Sequence, residues 1–293
     1  MFVAKNSKLF VGFLLVLVLA SVVSMWKFGL NLGMDFKGGS LLEVDYPEGR
    51  PDLEKIKSAV AFLNLGETIQ PYGDTGLIVK ARDLKETDRV SLVTTLAVGG
   101  VRVVDKRFNS VGPTIGSELR TKSVYSIILV LIGIGSFVAF AFRKVTGVVK
   151  SWQYGLVTLI TLGHDVFVPL GIFAYLGHYY GVEIDSLFVT ALLTILGFSV
   201  HDTIVVFDRI RENLKLRKFK DFTETVGMSI RQTLSRSINT SMTTILTLLA
   251  LIFFGSESVK YFCLALIVGI ICGTYSSIML ASPLLVVFQK AKK

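Results

Sequence analysis

Cysteine is nearly missing from this chain of 293 residues, and the two present exclude a disulfide-held fold. Cys263 and Cys272 fall in one apolar stretch near the end, nine residues apart on a single expected helix, where they cannot bridge each other. Residues 30–115 contain no cysteine, so that segment must be held by its own apolar core. Charge is also scarce. Charged residues make up 18% of the chain against 52% hydrophobic, with a mean hydropathy of +0.62, which excludes an ordinary soluble domain. Low-complexity segments are absent. So are H-E-x-x-H, G-x-S-x-G and a P-loop signature, and the chain is read as a non-enzyme without cofactor or metal.

What is there in quantity is apolar sequence. A bilayer core of ~30 Å asks for about 20 apolar residues of helix. Six stretches qualify, at about 9–26, 123–142, 154–176, 186–207, 237–254 and 260–288. The last exceeds the hydrocarbon thickness and is expected to tilt or bend at Pro283. The first has Lys5 and Lys8 before it, and Val18-Leu19-Ala20 resembles a signal-peptide cleavage site; apolar residues continue through Trp26, so it is read as a retained span.

The net charge of +9 invites a nucleic-acid reading, which its distribution excludes. Residues 27–120 carry 13 basic and 13 acidic side chains; the remainder carries 18 and 9. The excess clusters at Lys5, Lys8, Arg143, Lys144, Lys150, through 209–236, and at Lys290, Lys292 and Lys293. With six alternating spans these lie on one side, the positive-inside pattern, which puts both termini in the cytoplasm and relates the basic residues to anionic membrane lipid.

Residues 30–115 are too polar to span. Ser40–Tyr46 reads as a strand with Leu42 and Val44 on one face. Pro51 suits a first helical position, and Leu53, Ile56, Val60 and Leu63 follow at helical spacing. Glu67–Gln70 and Gly76–Ala81 read as strands around a turn, Leu84–Val98 as a helix and Val101–Phe108 as a last strand. The order β-α-β-β-α-β predicts a small α+β ferredoxin-like domain, which by itself supports no function beyond a spacer or docking unit.

Ionisable groups at membrane depth cost about 2.5–3.5 kcal/mol each on insertion, so each asks for a reason. Asp165 shares a helix face with Thr158 and Thr161, four residues before Pro169. That suits a wet cavity or bend, or a carboxyl satisfied by a neighbouring helix. Asp202 lies two turns inside the run Asp208–Asn213, and Arg236 begins the fifth span from the same edge, so the two can share a depth. Asn239, Thr240, Thr243 and Thr247 continue a polar stripe from Arg236, which a helix facing lipid does not need. The pair reads as a proton path or as a static ion pair. His164-Asp165 and His201-Asp202 repeat, but adjacent side chains diverge by about 100° on a helix, so neither pair chelates a metal alone. Gly269 and Gly273 form G-x-x-x-G, a close-approach face for another helix of this chain or a partner.

Five blocks in order carry a resemblance. Gly33-Met34-Asp35-Phe36-Lys37-Gly38-Gly39 is similar to a G-x-D-F-x-G-G motif, and Val111-Gly112-Pro113-Thr114-Ile115-Gly116-Ser117-Glu118-Leu119 to V-G-P-x-x-G-x-E-L. His164-Asp165-Val166 resembles an H-D-V motif, Asp202–Asn213 a fourth-span block, and Thr233-Leu234-Ser235-Arg236-Ser237 a fifth-span entry. All belong to the SecF family of the resistance-nodulation-division superfamily. The resemblance implies a six-span membrane subunit of the bacterial or archaeal inner membrane. Such a subunit pairs with SecD and uses the proton motive force to assist preprotein translocation through SecYEG after SecA. It implies a proton relay at Asp202 and Arg236. Asp165, His201, Asn239, Thr240 and Thr243 are expected as supporting polar groups, and the family-motif residues Gly33, Asp35, Gly38, Gly39, Gly112, Pro113 and Gly116 are expected to be structural. His201 departs from the Asn common in the family and brings an imidazole beside Asp202.

The expected organisation is a first span at 1–29, an extracytoplasmic domain at 30–115, and spans two to six at 116–293 with a cytoplasmic loop at about 208–236. The rival readings are half of a proton-coupled efflux or lipid transporter, for which ~85 outer residues are too few to form a deep pocket, and a non-conducting scaffold of the translocon.

Overall fold

The structure, a computed structural model, describes residues 2–66, 68–143, 149–216, 219 and 221–290. The expected strand start at Glu67 and the basic residues Lys144, Lys292 and Lys293 lie outside these. The chain opens with α1 (Phe2–Lys5), α2 (Ser7–Phe28) and α3 (Met34–Lys37). Then come β1 (Gly39–Asp45), α4 (Leu53–Ala61), β2 (Thr68–Tyr72), β3 (Gly76–Ala81), α5 (Glu86–Leu96) and β4 (Val104–Val111). Five long helical elements follow: α6 (Pro113–Ala141), α7 (Ser151–Tyr180), α8 (Ser186–Lys215), α9 (Phe222–Phe254) and α10 (Glu257–Ser276), the last continued by a π turn (Ser277–Ala281) into α11 (Ser282–Lys290). Two compact units result, Leu32–Ser123, and Met1–Asn31 with Val124–Lys293.

The smaller unit is ferredoxin-like. Its sheet runs β2-β3-β1-β4, antiparallel throughout, as the β-α-β-β-α-β order predicts. Leu42 and Val44 on central β1 are fully buried with Leu77 and Val79 of β3, Ile56 and Val60 of α4, and Leu92 and Leu96 of α5. Pro71 sits in β2, an edge strand, where its missing N–H is tolerated. Pro51, expected at the first helical position, lies two residues before α4 starts at Leu53, because the Asp52 carboxylate accepts from Glu54 N at 3.1 Å and caps the helix. The buried Tyr46 hydroxyl donates to Leu96 O at 3.1 Å, and burial pushes its pKa up to about 12. Asp45 is held below the usual carboxylate range by the Thr75 hydroxyl and then by Lys106, 3.1 Å away.

In the larger unit, with α6 included and the α10–α11 run counted once, six helices among the described residues are long and apolar enough to cross a membrane. The third, fourth and sixth spans form its interior; the first, second and fifth stand at its outside. Small residues set the close approaches. A Cβ on Gly269 would overlap Ile195 and one on Gly273 would lie 2.8 Å from Ser199 Cβ, so the G-x-x-x-G face docks on this chain's own α8. Ser24 Oγ donates to Gly171 O at 2.8 Å where α2 meets α7. A π turn, Ser277–Ala281, lies just before Pro283, where the last span was expected to tilt or bend. A proline ring obstructs the carbonyl four residues back, and a wider turn accommodates it.

The stretch expected as a loop at about 208–236 is mostly helix, since α8 runs to Lys215 and α9 starts at Phe222. Ion pairs Asp208–Arg211 and Arg209–Glu212 support the end of α8. Arg209 Nε and Asn213 Nδ2 both donate to Gln232 Oε1 on α9, at 2.6 and 2.9 Å, and Asp221 caps α9 by accepting from Glu224 N at 2.6 Å. Side-chain pairing therefore extends both helices where hydropathy gives no sign of them. Arg236 consequently sits inside α9 rather than at its start.

Candidate functional site

Two carboxylates in the spans have opposite surroundings. Asp165 on α7 is fully buried and fully engaged. Its Oδ2 accepts from Ser199 Oγ of α8 at 2.5 Å and from Ser276 Oγ of α10 at 3.0 Å, while Oδ1 lies 2.9 Å from His164 Nδ1. His164 Nε2 in turn lies 3.2 Å from Tyr275 OH. This network ties three spans together where Pro169 deprives the Asp165 carbonyl of its helical donor. Although neighbours in sequence, His164 and Asp165 reach each other with their side chains. Thr158 and Thr161 bond to their own helix, to Tyr154 O and Val157 O at 2.9 Å each, and not to Asp165.

Asp202 on α8 is 4% exposed, yet its Oδ2 has no hydrogen-bond partner among the described residues, and neither does the buried Ser237 Oγ. Ser237, His201 and Arg236 stand within electrostatic reach. No ion pair joins Asp202 to Arg236 among the described residues. Arg236, Asn239, Thr240 and Thr243 are all exposed, and so is His201. The threonines bond back to their own helix, Thr240 Oγ1 to Arg236 O at 2.9 Å and Thr243 Oγ1 to Thr240 O at 2.8 Å. The stripe thus faces out of this chain, in contrast to the exposed Ile128, Leu129, Ile132, Phe137 and Phe140 of α6.

Sequence reading missed Ser199, Ser237, Ser276 and Ser277. Thr203, next to Asp202, donates to Ser277 Oγ at 3.3 Å, so the serine pair beside the π turn touches Asp165 on one side and the neighbour of Asp202 on the other. No local spacing marks these bonds, since Ser199 and Ser276 both reach Asp165 on another helix.

The motif glycines meet within the smaller unit. Gly38 and Gly39 have φ of +81° and +140°. A Cβ on Gly38 would sit 2.9 Å from Pro113 Cα, one on Gly39 2.8 Å from Ala81 O, and one on Gly116 2.9 Å from Gly38 N. Gly33 precedes the single turn α3 that holds Asp35, and Gly112 leads into Pro113. The two motifs are a backbone-to-backbone contact that side chains would break.

A family profile described as "Protein export membrane protein SecD/SecF, C-terminal" matches residues 93–291, and one described as "SecD/SecF GG Motif" matches residues 23–46. A "Protein translocase subunit SecF" of Thermobaculum terrenum is 44% identical over 288 residues, 94% of this chain and 90% of the relative. Another, of Pseudomonas aeruginosa, is 34% identical over 276 residues, 93% of this chain and 86% of the relative. The chain belongs to the SecF family. A crystal structure of SecDF from Thermus thermophilus, described as a translocon-associated membrane protein, matches with a TM-score of 0.82 at 32% identity. It covers 98% of this chain, which spans only 38% of that longer one. SecDF in a super-membrane-facing form matches at 0.71 with the same identity and coverage. The SecF family's GG-motif match includes Gly38 and Gly39, and its C-terminal match includes the whole Asp165, Asp202 and Arg236 region.

Proposed function

We propose that this SecF-family chain works in Sec protein export as the partner of a SecD-type subunit. With SecD it assists preproteins at the SecYEG translocon by letting protons flow inward. The observation that carries the reading is a buried Asp202 whose Oδ2 has no partner among the described residues, beside a polar, exposed face of α9. In lipid, exposed Arg236, Asn239, Thr240 and Thr243 are costly; against a second membrane subunit or a water path they are satisfied. A buried carboxylate oxygen without a donor is a place for a proton, and Arg236 is the nearby charge that responds to it. Each charge moved through the membrane potential supplies roughly 2.3 kcal/mol per 100 mV, enough to bias a conformational equilibrium of a few kcal/mol.

In this reading both termini are cytoplasmic, residues 1–29 hold the first span, the ferredoxin-like domain at 30–115 is extracytoplasmic, and 116–293 hold the remaining spans. Purification of the full chain in mild detergent should bring a SecD-type subunit with it. Thr243→Trp on the stripe should lower that co-isolation while the chain stays folded. Unchanged co-isolation would place the partner on another face.

A further inference from the structure

The first span begins in an uncapped corner. Asn6 precedes α2 without capping it, because its side-chain amide donates back to Phe2 O at 3.2 Å. Its carbonyl accepts from Leu9 N and Phe10 N at 3.0 and 3.2 Å, which leaves the N–H groups of Ser7 and Lys8 without an acceptor among the described residues. Ser7 and Lys8 line a cavity of about 450 Å³ together with Lys5, Asn6, Leu9, Val287 and Lys290. Among the described residues no acidic side chain lines it. Ser7 is only 3% exposed, and its hydroxyl has no partner among the described residues. Among the described residues Lys5, Lys8 and Lys290 make no ion pair. Lys5 and Lys290 also border a second cavity with Asp221, Thr223 and Glu224, but the Asp221 carboxylate caps α9. The corner is held in place: Ala4 of α1 is fully buried in one core with Leu284, Leu285 and Val286 of α11.

Three ammonium groups without an ion pair and two helix N–H groups without an acceptor among the described residues, with the hydroxyl of Ser7, fit a phosphate. We propose that this corner binds the phosphate of an anionic membrane phospholipid. Leu9, Phe13 and Val16 decide for lipid over free phosphate. They lie at i, i+4 and i+7, are all exposed, and carry one apolar strip from the cavity down the outside of the first span, where acyl chains would lie. The inference rests on the membrane-spanning character alone, so its failure leaves the export reading intact.

Native mass spectrometry of the full chain with its co-isolated partner tests it, using phosphatidylglycerol and phosphatidylcholine of matched acyl chains. The protein should retain phosphatidylglycerol in preference, and each lysine removed by Lys5→Gln or Lys290→Gln should cut that preference roughly fivefold. Lys5→Arg with Lys290→Arg should keep it, and Lys122→Gln, remote on α6, should not change it. Ser7→Ala, which leaves every charge in place, should lower retention roughly threefold and covers the case in which the lysine variants fail to fold. Equal retention of the two lipids, or an unchanged preference in the Lys→Gln and Ser7→Ala variants, overturns the proposal. Displacement of the lipid by excess inorganic phosphate overturns the lipid assignment in favour of free phosphate.

Discussion

Ser199 on the fourth span donates a 2.5 Å hydrogen bond to Asp165 on the third, and Ser276 on the sixth donates to the same oxygen. A carboxylate met by hydroxyls from two other helices fixes how those helices sit. Asp165→Ala strands both serines and His164 inside the bundle, and should lower stability by roughly 2–4 kcal/mol. Asp165→Asn keeps an acceptor and should lose less. Thermal unfolding of both variants in detergent checks the order; equal loss would mean that the network adds little.

Gly38 and Gly116 test the motif contact. Gly38→Ala meets Pro113 Cα at 2.9 Å in a backbone at φ +81°, and Gly116→Ala meets Gly38 N at 2.9 Å. Each should destabilise the small domain by about 1–3 kcal/mol. Gly66→Ala, also at positive φ but with open space around it, should cost less. Denaturant unfolding followed by tyrosine fluorescence reads the difference.

The small domain should weaken at both pH extremes. Tyr46 is raised by burial from 10.0 to about 12, so its contribution is complete below pH 10 and is lost as pH rises towards 12. Tyr46→Phe should flatten that alkaline loss, and lose about 1 kcal/mol at neutral pH with the bond to Leu96 O. Asp45 is lowered, so its contribution is present above pH 3.8 and fades as pH falls further. Unfolding midpoints across pH for wild type, Tyr46→Phe and Asp45→Asn check both signs.

Hydropathy made the six spans legible, and the alternation around Leu42 and Val44 with the spacing of Ile56 and Val60 made the ferredoxin-like order legible. Helix beyond the apolar stretch was not. Residues 208–215 and 222–236 are polar, and their helical state depends on pairs such as Asn213 with Ser229 across two helices. Serine in a helix carries no local sign of its partner, so Ser199 and Ser276 stayed hidden. The stripe from Arg236 to Thr247 could be read as polar, but which side it faced depended on where the other five helices stood.

Topology has a direct check. Single cysteines at Asp74 and Leu216, in a Cys263→Ser/Cys272→Ser background, should label in intact cells with an impermeant thiol reagent at 74 and not at 216. The reverse pattern would invert the orientation.

The relay at Asp202 is the central claim. Asp202→Asn keeps the shape and removes the titrating proton, and Arg236→Met removes the responding charge. The most direct measurement is preprotein export into membrane vesicles with and without an imposed proton motive force, comparing wild type with Asp202→Asn in complexes that still contain the SecD-type partner. The account predicts that stimulation by the proton motive force disappears in the variant while assembly and basal export remain. Full stimulation in Asp202→Asn would contradict it.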